Sequence, residues 1–167
     1  MNKIFLLLLC VSLSAAGQQD NFKGAFLEKW DNSRDYLIEI AEAMPADGYD
    51  FRPTERQMTF NEQLEHIQGN ISWLSSKYFN ASKIDSATSG TKKDQILENL
   101  KRAFASARVA IENTPEADFK TTVDFFAGPK SKLQILNLLH DHLSHHRGQL
   151  IVYLNLNEIE PPSYSGW

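Results

Sequence analysis

The chain has 167 residues, 42% of them hydrophobic, and a formal net charge of −4. A mildly acidic chain with no basic block interleaved with aromatics lacks the electrostatic footprint of a nucleic-acid binder. Cys10 is its single cysteine, so the sequence beyond it has no disulfide, no cysteine nucleophile, no zinc thiolate and no iron–sulfur cluster.

Lys3 gives a positive start, Ile4 to Leu13 an apolar run, and Ser14, Ala15, Ala16 and Gly17 small residues. That order predicts a secretory signal peptide over residues 1–17, because the run is too short to span a membrane. The bulky Leu7, Leu8 and Leu9 ahead of Cys10 argue against lipoprotein processing. No later segment is apolar enough for a transmembrane helix, so the expected location is periplasmic or secreted. Residues 18–167 then form a single domain with 16 basic and 21 acidic residues. That is enough chain to bury a core without disulfides.

The first predicted helix runs from about Asn21 to Met44, with Phe22, Phe26, Trp30, Ser33, Leu37, Ile40 and Met44 at three- and four-residue steps. Pro45 and the turn Ala46, Asp47, Gly48 end it. The second opens at Thr59 with Glu62 three positions on, a capping box. Phe60, Leu64, Ile67, Ile71, Leu74 and Tyr78 make its apolar stripe. A polar loop follows from Asn80 to Gly90. The third helix spans about Thr91 to Asn113, burying Ile96, Leu100, Ala103, Phe104, Ala107 and Ile111. Thr121 to Phe126 has short strand character and is read as an extended connection, broken at Gly128 and Pro129. The fourth helix opens with the capping box of Ser131 and Gln134 and continues to about Asn157. Four amphipathic helices in one domain predict an all-α four-helix bundle with long connecting loops. The links 80–90 and 115–130 are expected to cross an end of the bundle or cover a site.

His142 and His146 are four apart, so a helix presents both imidazoles on one face. With His66 from the second helix they make a three-histidine set that leaves a metal one open position. On spacing alone, an ordinary surface or hydrogen-bonded role fits the pair equally well. At roughly 100° per residue, His142, His146, Gln149 and Tyr153 form a strip beside the leucine stripe of helix four. His66 shares a similar strip with Glu62, Asn70 and Trp73. Glu62 is a general base, an orienter of a ligand, or simply the capping residue. Gln149 is placed to hydrogen-bond a water at the ion. Arg147 either binds an anionic substrate group or bridges two helices. Tyr153 donates to a substrate oxygen or packs in the core. His140 is about 200° from His142 and has a structural or solvent role. His145 points to solvent as a partner of Asp141 or as a proton shuttle.

The stretch Leu138 to Leu150, with a His, three residues and then His-Arg-Gly-Gln, resembles the helix-four signature of the DinB-like/YfiT-like metal-dependent family. Residues 59–67 resemble its second-helix ligand segment, which ends in a histidine at 66. Tyr49 to Pro53 and the pair Pro161 and Pro162 also resemble family features, and the resemblance spans about residues 20–164. It implies a four-helix bundle with a divalent metal on His66, His142 and His146, zinc by default and nickel or another divalent ion as the alternative. It also implies a homodimer and a metal-dependent hydrolase or thiol-transferase-like enzyme acting on a small molecule. A non-catalytic envelope protein that binds metal or a small ligand is the other reading. The chain departs from the family pattern at Asn155 and Glu158, where Arg and Gly are frequent. Export also suits a thiol transferase poorly, since low-molecular-weight thiols are mainly cytosolic.

Overall fold

The computed structural model describes residues 22–167, and the signal peptide expected at 1–17 lies outside the described residues. Four helices dominate: α1 (Phe22–Ala43), α2 (Phe60–Phe79), α3 (Lys92–Glu112) and α4 (Lys132–Leu156). Three of them begin with reciprocal capping boxes. Thr59 and Glu62, Thr91 and Asp94, and Ser131 and Gln134 each exchange side-chain bonds for the first free backbone N–H groups. α2 ends where Asn80 takes the left-handed conformation, φ 59°, which an asparagine tolerates well. Short 3-10 turns at Ala46–Asp50 and Glu116–Lys120 follow α1 and α3.

Side-chain contacts fix the helix directions. Lys93 donates to the carbonyls of Glu42 and Met44, and Lys23 to those of Glu112 and Thr114, so α1 and α3 are antiparallel. Ser33 meets His140 and Tyr36 meets Arg147, so α1 and α4 are parallel. Gln63 meets Gln149 and His66 meets His142, so α2 and α4 are antiparallel. α2 and α3 therefore run the same way, and the chain between them must return the full length of the bundle. Residues 80–91 can do this, since an extended chain advances ~3.3 Å per residue against ~1.5 Å in a helix. Ser82, Asp85 and Ala87 bond in turn to Ser106, Arg102 and Asn99, which lays the link back along α3.

The second link is not simply extended. Thr122–Val123 (β1) pairs antiparallel with Lys130–Ser131 (β2), Thr122 opposite Ser131. Gly128, at φ 92°, makes the turn between them. Phe119 and Phe125 anchor this segment in the core.

The core is centred on Trp30, Leu37, Ile40, Phe60, Leu64, Leu100, Leu139 and Leu150, all fully buried. The Trp30 indole N–H donates to the Phe104 carbonyl at 3.2 Å. Its ring lies 4.7 Å from that of Phe104. Truncating such a side chain to alanine costs ~3 to 5 kcal/mol through lost burial and the cavity left behind. Phe22, expected on the buried stripe of α1, is 42% exposed at the helix start.

Candidate metal centre

The crossing of α2 and α4 brings His66, His142 and His146 together on one flank of the bundle. Ligand nitrogens of the three all lie within 4.8 Å of one another. His66 Nε2 and His142 Nε2 are 3.0 Å apart. The His146 ring centroid is 4.6 Å from that of His66 and 4.5 Å from that of His142. Exposure falls across the set, from His66 in solvent through His142 to a buried His146. This matches the edge position that strip geometry gives both helices.

The protonation pattern suits a cation. Burial first, and then the crowding of neighbouring imidazoles, pushes His142 and His146 down from 6.5 to about 4. Both are neutral at pH 7, and a neutral imidazole is the form that ligates. His146 Nδ1–H donates to Gln63 Oε1 at 2.6 Å, which leaves Nε2 with a free lone pair aimed at the other histidines. A nitrogen ligand stands ~2.0 to 2.1 Å from zinc, so two ligands of one ion are roughly 3 Å apart, as His66 and His142 are. The residues present therefore fit a divalent ion.

Gln63 is the residue that sequence reading missed. It lies three positions before His66, nearly fully buried at 2% exposure, and it links the two helices. Its amide N–H groups donate to Gln149 Oε1 and Tyr153 Oη. Tyr153 donates in turn to the Met58 carbonyl at 2.8 Å, and Gln149 to His145 Nε2 at 2.8 Å. Every step of this relay has one consistent donor direction, running from His146 out to His145 and Met58. The available signal was position alone, since an uncharged amide one turn from a ligand shares its face.

Glu62 is not brought to the histidines. Its carboxylate accepts from the Thr59 backbone N–H at 2.7 Å, and that bond holds it below the usual carboxylate range. Arg147 is also turned away. It lies over the Tyr36 ring on α1, 5.0 Å from its centroid. It forms neither an interhelical salt bridge nor a contact with the histidine set. Gln149 enters the relay rather than standing free. His145 bonds Gln149 instead of Asp141, and His140 bonds Ser33 Oγ at 3.3 Å on the α1 side. Farther along the α2 strip, Trp73 stacks on Phe126 at 6.3 Å and the two leave an exposed apolar patch.

Known proteins show the same organisation. The chain is 28% identical to YjoA of Bacillus subtilis (strain 168) over 138 residues, covering 78% of this chain and 88% of that one. The crystal structure of the DinB-like YjoA superposes with a TM-score of 0.71 at 20% identity, over 86% of this chain and 99% of that one. A DinB-like protein from Bacillus cereus ATCC 10987 gives 0.72 at 18% identity, over 86% and 97%. At these identities the structures speak for the fold, an all-α bundle. The DinB family profile covers residues 18–165, which is nearly the whole chain, and with the helix-four signature and the bundle in place the chain belongs to the DinB family.

Proposed function

We propose that this protein is exported and binds a divalent metal ion, zinc first, through His66, His142 and His146, and that it acts on a small molecule at that site as a hydrolase or transferase. The observation that carries the reading is the Gln63 contact, which points the free lone pair of a buried His146 at two other imidazoles. An ion held by three neutral donors keeps its full charge and supplies Lewis acidity to an oxygen or sulfur ligand at its open position. The chain's own residues do the rest. Gln63 and Tyr153 fix His146. Gln149 ties that arrangement to His145, which reaches solvent. The exposed pair of Trp73 and Phe126 offers an apolar resting place for the remainder of a substrate.

Elemental analysis of untagged protein tests the metal, with about one divalent ion per chain expected for a single three-histidine site and none in His142→Ala. Turnover of ester, amide or thiol-transfer substrates by the loaded wild type, absent in His142→Ala, tests the chemistry. A second reading, a non-catalytic metal or ligand binder, draws on the fact that among the described residues no carboxylate joins the histidines and that Glu62 is tied to Thr59. Loaded protein that turns over none of these substrates decides for it.

The sequence of Lys3 and the apolar run Ile4 to Leu13 supports export. Protein recovered from the envelope fraction should begin near Gln18, whereas a cytosolic chain retaining Cys10 would end that proposal. A homodimer is part of the same reading, and sedimentation of the purified chain checks it.

A further inference from the structure

α4 turns a second polar face toward α1, where His140, Ser144 and Arg147 recur at four- and three-residue steps. Arg147 is 7% exposed. A guanidinium carries five N–H donors and keeps its charge in proteins. Among the described residues none of those donors reaches a protein acceptor, and Nη1 is fully buried without a partner. No carboxylate pairs with it. The face of Tyr36 attracts the charge but leaves the N–H edge of the fork unmet. A buried charge in this condition is costly unless a counter-ion completes it.

Two tyrosines accompany it, the buried Tyr36 whose ring it overlies and Tyr164 of the C-terminal tail, which packs on Tyr36. Neither hydroxyl has a hydrogen-bond partner among the described residues. Tyr164 meets the Tyr36 ring edge-on at 6.0 Å, and Asn32 donates to the Trp167 carbonyl, so the tail lies across α1 beside Arg147. Gly166 allows that fold of the tail, because a Cβ there would collide with the Tyr164 ring. Toward the start of both helices a groove of about 750 Å³ lies between α1 and α4. Lys29, His140, Ser144 and one acid, Asp141, line it, and its last α4 residue is one turn short of Arg147.

We propose that Arg147, Tyr36 and Tyr164 form a binding site for a small oxyanion, a carboxylate or phosphate, seated under the C-terminal tail and separate from the three histidines. The free edge of the guanidinium takes two oxygens of such a group in parallel. The two hydroxyls donate to it from either side, and the tail closes over it. Lys29 at the rim of the groove adds positive charge along the approach.

The test uses the metal-free wild-type chain at constant ionic strength, titrated with inorganic phosphate and separately with acetate, with chloride as reference. The Nε–Hε resonance of Arg147 and the melting temperature are followed. The expected result is a saturable displacement of that resonance and a melting temperature that rises and levels off, with the better of the two anions naming the ligand class. Arg147→Met should abolish the rise and Tyr164→Phe should weaken it. Zinc affinity, measured in parallel, should be unaffected in Tyr164→Phe, which separates this site from the fate of the metal reading. A resonance unmoved by either anion at tens of millimolar would reduce Arg147 to a structural cation over Tyr36. So would an Arg147→Met chain that keeps the rise. If Arg147→Met does not fold, the wild-type resonance decides alone.

Discussion

On the flank of α4 that faces α2, His142 and His146 meet His66, and the buried His146 is paired through Gln63, which Gln149 and Tyr153 hold in turn. On the flank that faces α1, His140 has Ser33, but the buried Arg147 meets no acceptor among the described residues. The first flank gathers lone pairs whose proton positions are fixed by neighbours. The second gathers the N–H donors of Arg147 and the hydroxyls of Tyr36 and Tyr164, which meet no acceptor among the described residues. Burial is similar on both sides, so burial does not distinguish them. The sign of the groups left facing each other does: lone pairs on one flank suit a cation, and donors on the other suit an anion.

Removing a ligand is the strongest way to break this contrast. His66→Ala or His146→Ala should lower zinc affinity by more than the ~10- to 100-fold typical of a ligand's hydrogen-bonded partner. Competition with a chelating dye measures it. Gln63→Leu comes next and should cost roughly 10- to 100-fold, because His146 loses the acceptor that fixes its ring. Gln63→Glu keeps an acceptor for the same N–H and should recover the loss. A Gln63→Leu chain that binds zinc like the wild type would show that the relay does not orient His146. Zinc at 100 times its dissociation constant should add about 2.7 kcal/mol of stability. In a chain of this size that raises the melting temperature by roughly 5 to 10 °C. Added chelator should return the melting temperature to its metal-free value.

Much of the contrast was legible before any coordinates, and the remainder had physical reasons to stay hidden. The starts of α2 and α4 were readable because a capping box is a local pattern. The start of α3 uses Asp94 in place of Glu or Gln, a weaker form of the same signal. The three histidines were readable because spacing on two helices places each on its strip. Gln63 was not, because its role depends on which α4 residue the packing sets opposite it, and a neutral amide gives no charge signal. Its neighbour Glu62 carries the charge signal, but the start of α2 claims that carboxylate. Arg147 follows a candidate ligand in sequence, yet one residue step turns a side chain by about 100°, which is enough to carry it to α1. The β1–β2 pair is two residues long on each strand, too short for alternation to show. The parallel course of α2 and α3 depends on the path of a polar link that carries no periodic pattern.

A smaller effect concerns both flanks together. His140, His142 and His146 titrate near 4 in the folded chain against 6.5 when free. Between those values the unfolded chain binds more protons. The metal-free protein should therefore lose stability as pH falls from 6.5 toward 4, and these groups should contribute no further change above 6.5. Urea denaturation across that range measures the slope. A flat profile would mean that the imidazoles are not held neutral, and the lone-pair side of the contrast would lose its basis.

The smallest expected change is the most discriminating for Glu62. Its carboxylate accepts from Thr59 and is fully committed to the first turn of α2. Glu62→Gln retains an acceptor at that position and removes only the charge. Zinc affinity, and any turnover, should then match the wild type, because nothing on the histidine flank depends on that charge. Thr59→Ala, which removes the other half of the capping box, should lower stability by ~1 kcal/mol and likewise leave zinc affinity alone. If Glu62→Gln instead abolished turnover while zinc stayed bound, the carboxylate would have to leave Thr59 during the reaction. The histidine flank would then gain a base that its resting geometry does not contain.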